Sequence, residues 1–98
     1  MAQLEEFDHY LRMVTESELD KVTAKLFFNT VLDSRVGEFI DQLEDGTVMI
    51  EHDRPVGHCY DIPLTKDLSR FEGDYIAELL MKRFHFDFEI EASAEYLE

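Results

Sequence analysis

Three residues near the middle of the chain carry side chains suited to metal or nucleophilic chemistry: His52, His58 and Cys59. A cross-strand pair of imidazoles can hold a metal ion, and a thiol beside an imidazole can act as a nucleophile. Neighbouring residues of a strand point to opposite faces, so His58 does not activate Cys59. A zinc centre takes three or four protein ligands, and this reading supplies only His52 and His58. No metal and no cofactor is therefore expected, and a small metal-dependent enzyme at His52 and His58 is the least favoured reading. Local packing or hydrogen bonding accounts for both histidines, and Cys59 is expected to be an inert, partly buried thiol.

Residues 41–52 begin like a calcium-binding loop but fail where ligands are required. The third position is Leu43, and the twelfth is His52 instead of a bidentate Glu. Carboxylate pairs for glycoside hydrolysis carry no information in a chain so rich in acids. There is no Trp for a sugar platform, no glycine-rich phosphate loop and no Gly-x-Ser-x-Gly elbow. The chain is not expected to be an enzyme.

Charge is the stronger signal. The 98 residues hold 23 Asp and Glu against nine Lys and Arg, a formal net charge of −14. Such a chain is not expected to bind nucleic acid directly or to dock on anionic membrane. Asp87, Glu89 and Glu91 lie in a stretch from residue 84 onward with no Lys or Arg. Glu38, Asp41 and Asp45 would line a second acidic stripe. Strand residues two apart are separated by roughly 6.5–7 Å, and helix residues four apart by about 6 Å. Neighbouring DNA phosphates are spaced on a similar scale along their curved path. Carboxylates on a folded acidic face can thus occupy a basic nucleic-acid groove, since Coulomb attraction does not depend on what carries the charge.

The elements that must position these groups follow from periodicity. Leu4, Phe7, Leu11 and Val14 recur at helical spacing, which predicts a helix over residues 2–13. Ser17 opens a second segment, over residues 17–33, with the stripe Leu19, Val22, Leu26 and Phe27. This segment also alternates like a strand, and helix is preferred for its cap and length. Asp33 or Ser34 caps a third helix with Val36, Phe39, Ile40 and Leu43 inward, ending at Gly46. Residues 47–52 and 58–62 read as a hairpin with a five-residue loop. That register sets His52 against His58, Ile50 against Tyr60 and Val48 against Ile62, keeping the apolar residues on one side. Leu68, Phe71, Tyr75, Ile76, Leu79 and Leu80 form a helical stripe behind a Ser69–Glu72 capping box. Phe84, Phe86, Phe88, Ile90 and Ala92 alternate with His85, Asp87, Glu89 and Glu91, the clearest strand in the chain. The expected fold is one α+β domain over residues 1–98, in the order αααββαβ, with helices packed on a three-stranded antiparallel sheet.

In size and charge the chain resembles the small acidic inhibitors encoded by phages and mobile elements, among them nucleic-acid mimics and anti-CRISPR proteins. The resemblance implies a non-catalytic protein that blocks the nucleic-acid site of a basic host or defence nuclease. Asp87, Glu89 and Glu91 would be the centre of the imitation, and Glu38, Asp41 and Asp45 a second row. The alternative is an immunity protein or antitoxin that caps a basic toxin through aromatic anchors, with Tyr10, Tyr60, Tyr75 and Tyr96 as candidates. A cytoplasmic location is expected, because no apolar run approaches the ~20 residues of a membrane span. The acidic residues 1–6 also lack the pattern of a signal peptide.

Overall fold

The computed structural model describes residues 9–44, 46–53, 55, 57–84 and 88–95. Tyr10–Thr15 forms strand β1 and Lys21–Leu32 helix α1, and Arg35–Phe39 is a short 3-10 helix. Ile50–Asp53 (β2) and His58–Pro63 (β3) follow, then Leu68–Ser69 (β4), Arg70–Arg83 (α2), Phe88–Ala92 (β5) and Ala94–Glu95 (β6). The fold is α+β, as expected, but the sheet has four antiparallel strands in the order β2-β3-β1-β5, beside a small parallel β4-β6 pair. No helix among the described residues is long and apolar enough to cross a membrane.

The largest correction is at β1. Residues 10–13 belong to a strand, where the periodicity predicts helix; residues 1–8 lie outside the described set. Leu11, Met13 and Thr15 are buried toward the helices, while Tyr10, Arg12 and Val14 take the opposite face. Paired on both sides, β1 carries apolar residues in both phases, which hides the period-2 signal.

Helix α1 is correctly read as helix, but it begins later than expected. Asp20, with a carboxylate accepting from the Thr23 N–H at 2.7 Å, is the N-cap. The preceding segment is tied elsewhere, since the Leu19 N–H donates to the Tyr60 hydroxyl at 2.6 Å. Ser34 caps as expected, yet only a 3-10 turn follows. After Phe39 the chain runs beside the end of β3, with the Asp41 N–H donating to the Pro63 carbonyl and the Thr65 N–H to that of Phe39. These bonds take the place of a continuing helix.

The hairpin has the other register. Asp53 faces His58, His52 faces Cys59 and Ile50 faces Asp61, so the loop has four residues and not five. His52 and His58 are therefore not cross-strand partners. Alternation was a poor guide because β3 is an inner strand, buried from Cys59 to Pro63 on both faces. Gly57 closes the turn at φ +94°, and a Cβ there would stand 2.4 Å from the Thr15 carbonyl oxygen. Only glycine fits so close a backbone approach.

The Ser69–Glu72 capping box is present in both directions, at 3.1 and 3.0 Å. Ile76 and Leu80 are buried, but Phe71 is 80% exposed, so the apolar stripe is narrower than predicted. The expected last strand is shortened: Phe84 caps α2 in the core, β5 starts at Phe88, and Phe86 lies outside the described residues. Phe88, Ile90 and Ala92 pack on the helix side, as the alternation requires.

The Glu72 carboxyl is held below its usual range, chiefly by the Ser69 backbone N–H. A folded-state pKa below the unfolded value gives stability that is present above the unfolded pKa. It is lost as pH falls through the folded one. Ser69→Ala should cost ~0.5–2 kcal/mol at neutral pH. Urea unfolding near pH 7 and near pH 3 measures this. Ser69→Ala keeps the backbone N–H that holds Glu72 down, so the deficit should be similar at the two pH values, while parent and variant both lose stability toward the acid end.

Candidate functional site

The face of the sheet turned away from the helices gathers the groups with chemistry. Alternation places Ile50 and His52 there from β2, Cys59 and Asp61 from β3, Arg12 from β1, and Glu89 and Glu91 from β5. Asp61, fully buried, is the hub. Arg12 donates to it through Nε at 2.8 Å and Nη2 at 3.0 Å, and the His52 Nε2 lies 3.0 Å from Oδ2. The Asp61 hydrogen bond is the main reason the Arg12 guanidinium is held more firmly protonated than usual, against its own desolvation. Arg12 also lies over the Tyr10 ring, 4.7 Å from its centroid, and 3.6 Å from Glu91.

Cys59 is buried on the same face, opposite His52. One donor atom from each of His52, Cys59 and Asp61 lies within 4.8 Å of the others. Sequence reasoning paired His52 with His58 instead, and it missed both Asp61 and Arg12. His58 belongs to the other face, where its Nδ1 meets Asp53 at 2.8 Å. The overlooked signal is charge pairing: an isolated Arg in β1 and an isolated Asp in the apolar run of β3 need each other if both are inner-strand residues.

The predicted acidic residues divide. Glu89 and Glu91 are exposed on this face of β5, two residues apart, opposite Val14 and Arg12. Arg12 carries one positive charge beside the carboxylates of both Asp61 and Glu91, so the face keeps a net negative charge. Glu38 is exposed on the 3-10 helix, and Asp41 is half-buried in the segment beside β3. These two lie on separate elements and not along one helical stripe. Asp45 and Asp87 lie outside the described residues.

Of the tyrosine anchors, Tyr60 is a core residue whose hydroxyl is engaged by Leu19. Burial pushes its phenol up, the Leu19 bond acts the other way, and Glu51, Glu18 and Asp53 raise it further. Tyr10 and Tyr75 are half-buried, the second beneath Arg35. Tyr96 lies outside the described residues. Comparison with protein-family models, curated proteins and solved structures gives no match for the chain.

Proposed function

We propose that the protein is a non-catalytic acidic binding protein whose partner is a basic nucleic-acid-binding protein or nuclease, with carboxylates standing where phosphates would. The observation that carries this reading is strand β5. Its Phe88, Ile90 and Ala92 are packed on the core, which holds Glu89 and Glu91 outward at strand spacing on an exposed face. A net charge of −14 adds long-range attraction for a basic groove. The buried hub at Asp61 supports a positioning role, since its carboxylate is already committed to Arg12 and His52.

The test compares the parent chain with Glu89→Gln/Glu91→Gln. Circular dichroism should be unchanged. Each form is immobilised and exposed to nuclease-treated lysate at low and physiological salt. The captured protein is then assayed for release of a labelled oligonucleotide. The double variant should associate roughly tenfold more slowly at low salt, and competition with the oligonucleotide should fall with it. Capture that ignores salt, survives the double variant unchanged and does not displace the oligonucleotide refutes the proposal.

A further inference from the structure

We propose that His52, Cys59 and Asp61 form a binding site for one zinc-class divalent ion, clipping the edge strand β2 to β3. The inference is independent of the partner proposed above, because it concerns the buried half of the face and not its acidic rim.

The donor set is the first argument. Imidazole and thiolate suit zinc, whereas magnesium and calcium take oxygen ligands. A nitrogen, a sulfur and an oxygen donor meet here from two adjacent strands. Placement is the second. His52 and Cys59 are direct cross-strand partners, and Asp61 follows Cys59 by two residues on the same face. The donor atoms lie within 4.8 Å of one another. Zn–S and Zn–N distances of about 2.3 and 2.0–2.1 Å place tetrahedral ligand atoms roughly 3.5 Å apart. Rotations of the side chains by about an ångström therefore close the site, with no change of backbone register.

Arg12 is compatible with the ion. The sheet order places β3 between β2 and β1, so Asp61 receives Arg12 from one side and His52 from the other. The fork on Oδ1 and Oδ2 orients the carboxylate, as hydrogen-bonded outer partners of metal ligands do. Charge also balances. A thiolate and a carboxylate neutralise the dication, while Glu91, 3.6 Å from Arg12, offsets the guanidinium. On binding, the Cys59 S–H gives its proton to solvent. His52 binds as neutral imidazole, with Nε2 on the ion and the proton on Nδ1. The His52 side chain is 31% exposed, which gives the ion a way in from the β2 edge.

Cobalt(II) is the probe, added to chelator-stripped protein in a phosphine reductant. Cys59 is the only cysteine, so a thiolate-to-cobalt charge-transfer band in the near ultraviolet identifies it as a ligand. The band should saturate at one equivalent and vanish when zinc is added. Cys59→Ser should lose the band, and His52→Ala should bind at least about tenfold more weakly. His58→Ala should bind like the parent, since His58 faces the other way. Zinc should raise the melting temperature of the parent and of His58→Ala, but not of His52→Ala. Absence of the band in the parent overturns the proposal. So does an isotherm that is the same in His52→Ala, which removes His52 from the ligands and with it the clip between β2 and β3.

Discussion

Asp61→Ala, measured in chelator, should destabilise the protein by about 3–5 kcal/mol, a large share of the roughly 5–15 kcal/mol that holds an ordinary domain folded. The carboxylate is fully buried and meets Arg12 and His52. Its loss leaves a guanidinium whose side chain is only 12% exposed without its two-pronged hydrogen-bond partner. Glu91 is a weak substitute, standing 3.6 Å from Arg12 and half in solvent. Removing both charges should be milder than removing one. Arg12→Met/Asp61→Leu should recover a large part of the loss, because neither desolvated charge remains. Urea unfolding of the parent, Arg12→Met, Asp61→Leu and the double variant completes the cycle. A double variant as unstable as the sum of the singles would mean that the two groups do not act as a pair.

That pair also explains what could and could not be read from the sequence. The capping box of α2 is local, spanning three residues, and it was legible at once. The alternation of β5 was legible because an edge strand has one buried face and one wet face. Its Glu89 and Glu91 fall where the pattern put them. Strands β1 and β3 are paired on both sides, and Tyr10, Leu11, Met13 and Val14 satisfy a helical and a strand pattern equally. The hairpin register failed for the same reason. Collecting apolar residues on one side is a sound rule for a half-buried strand, and β3 is buried on both faces. What the register preserves is the polar contact of Asp61 with His52 and Arg12, the latter 49 residues away in the chain. No local window contains that partner. The same one-residue shift moved Cys59 and Asp61 beside His52 and took His58 away, so the candidate metal ligands were hidden by the register and not by their residue types.

The aromatic core gives the second large effect. Phe27 of α1 is fully buried, with its ring edge-on to Phe84 at 6.5 Å between centroids, and Phe84 meets Phe88 at 5.8 Å. The three rings connect α1, the end of α2 and the start of β5. Phe27→Ala removes the first of them and should cost about 3–5 kcal/mol, the transfer term plus the cavity left in a packed interior. Phe71 is the comparison. The same residue type on α2, 80% exposed, it should change stability by less than about 0.5 kcal/mol when replaced by Ala. Urea midpoints read both, with unchanged m-values showing that the unfolded states are comparable. Equal costs for the two variants would mean that α2 presents the Phe71 face to the core. A large cost at Phe27 alone ties the core to the surface, since the ring that Phe27 supports rests on Phe88, the first residue of the strand that carries Glu89 and Glu91. Phe27→Leu keeps most of the volume and should retain the fold. Partner binding should then stay close to that of the parent, so any loss in Phe27→Ala would follow from β5 losing its support and not from a contact made by Phe27 itself.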